Sequence, residues 1–208
     1  MLLWSIQNIH AYEKFMKAGT LTANENHLCF DGELLFAYDW MAEKMQQHGL
    51  KGLKPPPGVK YPIWAWYTWE GKRKRRDMRE SGYAERGTKI VQLTIEVDNS
   101  DILLSDFDLY HHVLNYWYLP LSEADDNEFE KNYKRLGLKW GDWQNSDIQT
   151  TEMDFIRSKI KDSWDRVFDL EREDDGYLYG LNSGKSIQAT FWCLRREQVL
   201  KAENFIAR

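Results

Sequence analysis

Residues 88–97 read TKIVQLTIEV, and this run is the strongest indication of sheet structure in the chain. Its β-branched and apolar composition, bounded by Gly87 and a polar turn, predicts a strand. The turn at residues 98–101 leads into Ile102–Ser105, with the sequence ILLS. We therefore expect Ile102–Ser105 to be the partner of the strand at 88–97.

Three further runs have strand character. They are Leu3–Gln7 (LWSIQ), Tyr61–Trp69 (YPIWAWYTW) and Ser186–Trp192 (SIQATFW). The middle run carries aromatic side chains at neighbouring positions, which is typical of a buried strand with aromatic residues on both faces. We expect these three strands to line one cleft.

Apolar residues at helical spacing alternate with these strands. They predict helices over 9–18, ended by Gly19, and over 34–47. Three more follow: from Asp108 through Trp117 with Asp106 or Asp108 as the cap, Thr151–Phe168, and Leu194–Phe205. Because the strands are short and the loops long, the sequence predicts a single α+β domain over 1–208, with a small mixed or antiparallel sheet and flanking helices.

The composition describes a globular protein with an excess of aromatic residues. The chain has 208 residues, a formal net charge of −5 and 42% hydrophobic residues, which excludes disordered and collagen-like classes. Of its ten tryptophans, Trp4, Trp164 and Trp192 lie on apolar stripes and are expected in the core. No signal-like or membrane-spanning run is present, and Cys29 and Cys193 are far apart, so a cytoplasmic location is expected.

Two segments interrupt the regular elements. Residues 52–62 hold four of the five prolines and are expected to form a loop. Residues 70–87 are expected to form a basic loop insertion, because six of the eight residues from Lys72 to Arg79 are basic.

The basic run directly follows the aromatic strand, so phosphate-binding cations lie beside stacking faces. That combination is typical of single-stranded nucleic-acid binding. The predicted nucleic-acid-binding residues are Lys72, Arg73, Arg75 and Arg76. The alternative is a solvated loop whose charge only improves solubility.

Acidic and imidazole side chains cluster at Ser105–His112, with the sequence SDFDLYHH. On a helix His111 and His112 point about 100° apart, which disfavours a shared metal. We therefore expect no metal site here, and instead an acidic helix cap with one histidine bonded to a carboxylate. Residues 180–186 (GLNSGKS) lack the glycine spacing of a phosphate loop and are not expected to bind nucleotide.

The chain resembles a bacterial family of uncharacterised cytoplasmic proteins known only as a domain of unknown function. The segments that carry the resemblance span nearly the whole chain. They are Leu3–Gln7, Lys60–Tyr67, Leu103–Asp108, Val113–Asn115 and Ile187–Trp192. The resemblance implies a family without implying an activity.

The order of elements also resembles the ADP-ribosyltransferase fold, in which a first strand precedes a helix ending in glycine and a late strand carries an acidic residue. This resemblance implies NAD⁺ as cofactor and substitution at its ribose, where carboxylates stabilise an oxocarbenium-like transition state. It assigns catalytic positions to Ser5, Gln7 and Gln188. It assigns the aromatic wall around nicotinamide to Tyr61, Trp64 and Tyr67.

Two of the three usual catalytic identities are absent at those positions. A glutamine at 188 supplies no negative charge, and loss of one such group commonly costs about a hundredfold in rate. A catalytic acid would then come from Asp106, Asp108 or Glu70, or the protein would bind NAD⁺ without turnover.

The resemblance and the basic run together predict an NAD-binding or NAD-dependent ADP-ribosyltransferase-like protein that acts on an anionic acceptor such as nucleic acid. The alternatives are a non-enzymatic protein that binds a nucleotide or single-stranded nucleic acid, and a module that binds a protein partner.

Overall fold

The computed structural model of the chain describes residues 1–23, 34–48, 53–172, 177–178 and 184–208. Its α-helices are α1 Ile9–Ala18, α2 Leu35–Gln47, α3 Phe107–Leu114, α4 Glu123–Arg135 and α5 Thr151–Ser163. Its strands are β1 Leu2–Asn8, β2 Thr20–Thr22, β3 Ile63–Thr68, β4 Lys89–Glu96, β5 Leu103–Asp106, β6 Ile187–Phe191, β7 Cys193–Arg195 and β8 Val199–Ile206. The fold is of the α+β class, as the sequence predicts.

Six strands form the main sheet, in the order β5-β6-β3-β1-β4-β8. The pairings of β6 with β3, β3 with β1, β1 with β4, and β4 with β8 are antiparallel. Strands β2 and β7 form a separate two-stranded sheet. The three strands expected to lie together are consecutive in this sheet, with β3 between β1 and β6.

One face of the main sheet carries the hydrophobic core. Alternate residues of the central strands, Leu3, Leu93 and Ala189 among them, are fully buried there with Phe15 of α1. Successive side chains of a strand point to opposite faces, so the intervening residues form the other face. On that other face α2 packs against β3 and β6, where Tyr38 contacts Trp64 and Met41 contacts Thr190.

The described residues group into two compact units, residues 1–104 with 186–208, and residues 105–185. The first unit holds the main sheet just described, apart from the end of β5. The expectation of a single domain over residues 1–208 stays a prediction.

The second unit is built around α3, α4 and α5. Trp164 is 1% exposed and donates its indole N–H to the carbonyl of Trp117 at 2.8 Å. Ser163, also buried, accepts from the backbone N–H of Leu119 at 2.9 Å. These bonds satisfy polar groups that would otherwise be buried without partners.

Several sequence predictions are confirmed. Helix α1 ends at Gly19, which has a φ of 82°, the left-handed conformation that favours glycine at a helix end. Asp106 caps α3 by accepting from two backbone N–H groups. Trp4, Trp164 and Trp192 are all buried. Residues 53–62 contain neither helix nor strand, and residue 52 lies outside the described residues.

The helix predicted over Leu194–Phe205 is wrong. These residues form β7, a short 3₁₀ turn and β8, and β8 pairs along the edge of β4. Helix-favouring residues such as Leu200 and Lys201 suggested a helix. The unpaired backbone groups of β4 provide a stronger, non-local partner for the segment.

The pairing predicted between the strands at 88–97 and 102–105 is also wrong. β4 lies between β1 and β8, whereas β5 is the strand next to β6 at the opposite end of the sheet. In addition, the predicted helix over 151–168 ends as α5 at Ser163 and continues as a 3₁₀ helix, and the predicted helix through Trp117 ends at Leu114.

No helix of the described ranges is long and apolar enough to cross a membrane.

Leu93→Ala tests the central position of β4. Leu93 is fully buried, so we expect the free energy of unfolding to fall by about 2–5 kcal/mol. Leu200→Ala is the matched control, because Leu200 on β8 is 58% exposed and its truncation should change stability by less than about 0.5 kcal/mol. Urea unfolding followed by circular dichroism measures both. Equal losses would contradict the assignment of the core face.

Candidate functional site

The basic segment, residues 72–79, begins with a tight turn after β3. Trp69 and Lys72 exchange backbone hydrogen bonds of 2.9 and 3.0 Å. Between them Glu70 and Gly71 have φ angles of 49° and 71°, the pattern of a two-residue hairpin turn. The Glu70 N–H also donates to the hydroxyl of Ser186 at 3.1 Å. The turn folds the basic segment back along the strand it follows.

Arg73 lies flat against the sheet. Its guanidinium carbon is 3.8 Å from the ring centroid of Tyr67 and 5.1 Å from that of Trp4. The guanidinium also donates to the backbone carbonyls of Tyr67 and Leu2. Its partial burial lowers the pKa of Arg73. The charge of Arg73 is therefore directed towards the protein itself.

Arg76 is enclosed by aromatic rings. Its guanidinium carbon lies 3.2, 4.9 and 5.0 Å from the ring centroids of Trp69, Trp66 and Tyr83. The guanidinium pairs with Glu80 at 2.8 Å, and only 10% of the side chain is exposed. Burial, together with the hydrogen bond to Glu80, raises the pKa of Tyr83 to about 12. Arg76 thus anchors the basic segment to the sheet.

Gln92 of β4 adds a second anchor. Its side-chain amide donates to the carbonyl of Arg76 at 3.0 Å, and the residue is 2% exposed. The same amide contacts the sulfur of Met78, which is also buried. The basic segment is therefore held by buried contacts at Arg76 and Met78 and by the ring and backbone contacts of the more exposed Arg73.

The remaining cations of the segment face solvent. Lys72 is exposed, and the side chains of Lys74, Arg75 and Arg79 are 42%, 51% and 78% exposed. Each of these three forms a surface ion pair. The pairs are Lys74 with Glu70, Arg75 with Glu203, and Arg79 with Asp77. The hydrogen bond from Arg75 holds the pKa of Glu203 below its usual range.

The three residues assigned to catalysis do not share a face of the sheet. Gln188 pairs with Trp66, and Trp66 pairs with Trp4, so these three side chains lie on one face. Ser5 and Gln7 alternate with Trp4 along β1 and lie on the other. Ser5 is fully buried, donates to the carbonyl of Trp64 and accepts from Gln7.

The aromatic residues expected to surround nicotinamide belong to two different clusters. Tyr61 is 1% exposed and donates to Asp39, and its ring contacts Tyr38. Trp64 contacts the same tyrosine, whereas Tyr67 lies beneath Arg73.

The Asp/His cluster is occupied with local bonds. Asp106 is buried, which raises its pKa, and its carboxylate caps α3. The Nδ1 atoms of His111 and His112 bond to the backbone carbonyls of Phe107 and Tyr118, and the expected bond from a histidine to a carboxylate stays a prediction. The described part of the chain holds no group of three His, Cys, Asp or Glu side chains that could bind a metal ion.

Two sequence features lie wholly or mainly outside the described residues. They are Cys29 and the glycine-containing run at 180–186, of which only residues 184–186 are described.

Glu70, a further candidate acid, is exposed at the tight turn and pairs with Lys74.

A protein-family model described as Domain of unknown function (DUF3841) matches residues 2–200. The chain belongs to this family. Neither curated proteins nor solved structures match the chain. Membership of the DUF3841 family agrees with the resemblance to a domain of unknown function seen in the sequence. The description of the family names no activity.

Sequence reasoning missed two residues that hold the basic segment of the DUF3841 chain in place. Tyr83 completes the enclosure of Arg76, and Gln92 bonds the backbone at the same residue. Gln92 interrupts an apolar run on β4, and that interruption was the available signal. Tyr83 lies in a glycine-flanked stretch with no periodic pattern.

Arg76→Gln should destabilise the DUF3841 protein, because it removes a nearly buried cation from three aromatic rings and from Glu80. We expect the free energy of unfolding to fall by about 1–2 kcal/mol. Arg79→Gln is the charge-matched control, with an expected change below about 0.5 kcal/mol since its ion pair is exposed. Urea unfolding measures both variants, and similar losses would show that Arg76 is not an anchor.

Proposed function

We propose that this DUF3841 protein is a non-enzymatic binding protein whose basic segment contacts the phosphate backbone of nucleic acid. The observation that carries the proposal is the local charge. Residues 70–89 hold eight basic and four acidic side chains, whereas the chain as a whole has a formal net charge of −5. A concentrated positive surface on an acidic protein favours a polyanionic ligand.

The cations of the basic segment divide into two roles. Arg73 and Arg76 fix the segment, and Lys72, Lys74, Arg75 and Arg79 remain at the surface. Exposed ion pairs contribute only about 0–1 kcal/mol each, so phosphate oxygens can replace their carboxylates at little cost. A fixed backbone also lowers the entropy lost on binding.

The same geometry argues against base stacking as the main contact. Arg76 covers Trp69, and Arg73 covers Tyr67, so these ring faces are already occupied. We therefore expect binding that depends strongly on salt and weakly on nucleotide sequence.

The NAD-dependent transferase interpretation is a weaker proposal. It requires Ser5, Gln7 and Gln188 to meet at one ribose, but Ser5 and Gln188 belong to opposite faces of the sheet. Ser5 is also fully buried. An NAD⁺ site in this protein would need other residues.

Replacing Lys72, Arg75 and Arg79 together with glutamine tests the nucleic-acid proposal. Binding of a fluorescent single-stranded oligonucleotide is measured by anisotropy over a range of salt concentrations. If all three side chains contact phosphate, the slope of log K against log salt should become shallower by about 2. Affinity at low salt should fall about tenfold or more, while the unfolding midpoint stays unchanged.

The matched control replaces three exposed lysines of the second unit, Lys131, Lys139 and Lys161. It changes the net charge equally and should leave the slope as in the unmodified protein. Equal effects of the two triple variants would reduce the proposal to bulk charge. Nicotinamide release from NAD⁺ by the unmodified protein would instead support the transferase interpretation.

A further inference from the structure

A second candidate site lies entirely within residues 105–185 and is independent of the basic segment. Aromatic side chains, five of which are considered below, line a cavity there of about 330 Å³, near the lower end of the size range of small-molecule pockets. We name this group the aromatic cage. Its members are Trp117, Phe129, Tyr133, Trp140 and Trp143.

Helix α4 supplies one wall of the cage. Residues 126, 129, 130 and 133 follow one another at intervals of three, one and three, which places them on one face of the helix. Phe129 and Tyr133 are nearly buried, and their ring centroids lie 5.7 Å apart. Asp126 and Glu130 flank them along the same face and line the same cavity.

The loop after α4 supplies the opposite wall. Gly141, with a φ of 89°, turns the chain so that Trp140 and Trp143 both reach the cavity. Their ring centroids are 6.0 Å apart with planes at 72°. Trp143 is 2% exposed and donates its indole N–H to the carbonyl of Tyr116 at 3.0 Å. Trp143 is therefore held in place by burial and by this hydrogen bond.

Two of the tryptophans leave large apolar surfaces in water. Trp140 is 63% exposed and Trp117 is 37% exposed, and their ring centroids lie 6.1 Å apart with planes at 52°. Neighbouring exposed indoles with a polar rim are typical of an interaction site rather than of a core. Trp143 lies behind Trp140 and forms the floor of the cage.

The charge of the lining selects the ligand class. Asp126 and Glu130 line the cavity, and among the described lining residues no lysine or arginine is present. Burial lowers the pKa of His112, another residue of the lining, and so favours its neutral form. The indole rings of Trp117, Trp140 and Trp143 line the same cavity, and aromatic rings attract cations through their π-systems. The carboxylates and aromatic rings of the lining therefore favour a cation over an anion.

We propose that the aromatic cage binds the methylated ammonium group of an organic cation. Such a group has weak hydration and an apolar surface, and it gains from several ring faces at once. Asp126 and Glu130 complement its charge from the rim. The Asp126 carboxylate accepts a hydrogen bond from the hydroxyl of Tyr177 at 2.6 Å, and Glu130 pairs with the ammonium group of Lys134. The site goes beyond the proposed binding of nucleic acid.

The charge of the ligand is tested with a matched pair of probes. Choline carries the trimethylammonium group, and its carbon analogue dimethylbutanol has the same shape without the charge. Titration is followed through the indole N–H signals of the tryptophans in two-dimensional nuclear magnetic resonance spectra. We expect choline to shift the signals of Trp117 and Trp140 with a millimolar dissociation constant. The carbon analogue should bind at least about fivefold more weakly.

Two substitutions test the place of binding. Trp140→Ala should weaken choline binding about fivefold or more, and Trp140→Phe should restore part of the loss because it keeps a ring. Phe155→Ala is the control, since Phe155 is a 48% exposed aromatic residue on α5 that does not line the cavity. It should leave binding unchanged. Circular dichroism checks that all three variants are folded.

The source of the cation is distinguished by a second pair of probes. A short peptide with trimethyl-lysine is compared with the same peptide carrying unmodified lysine. Tighter binding of the methylated peptide than of choline would indicate a protein ligand, and the reverse would indicate a free small cation. Equal binding of choline and dimethylbutanol would overturn the proposal. Choline binding by Trp140→Ala that equals binding by the unmodified protein would also overturn it.

Discussion

The two-residue period of the central strand β1 determines which side chains can meet in the main sheet. β1 pairs with β3 on one side and β4 on the other, so its register fixes the faces of all three strands. Leu3 and Ser5 enter the hydrophobic core, and Trp4 points to the face that receives Arg73. A slip of one residue would exchange these two sets and bury the arginine-binding face.

The arginines of the basic segment show why a run of charge does not describe a binding surface by itself. In sequence, Arg73, Arg75 and Arg76 are equivalent. In the structure, Arg73 and Arg76 rest on aromatic rings, while Arg75 is half exposed and paired with Glu203. Cation–π contacts therefore give Arg73 and Arg76 a structural role. The remaining cations of the segment are the ones expected to contact phosphate.

The tryptophan side chains occupy different environments, of which three are described here. Trp164 is buried in the core of its unit, Trp69 supports an arginine, and Trp140 is mostly exposed in the aromatic cage. The two candidate sites have opposite preferences, because the basic segment favours polyanions whereas the cage is lined by carboxylates and no described lysine or arginine. The formal net charge of −5 for the whole chain indicates neither of these two local preferences.

Elements with local signals could be predicted from the sequence: α1 with Gly19 at its end, the cap at Asp106 and the strand β4. The sequence also located the basic segment and the family. Only the tertiary structure decided that residues 199–206 pair with β4 as a strand, that Gln188 and Ser5 lie on opposite faces, and that Trp140 joins Trp117. Caps and periodicity depend on neighbours within a few residues, whereas strand register and ring contacts depend on residues far apart in the chain.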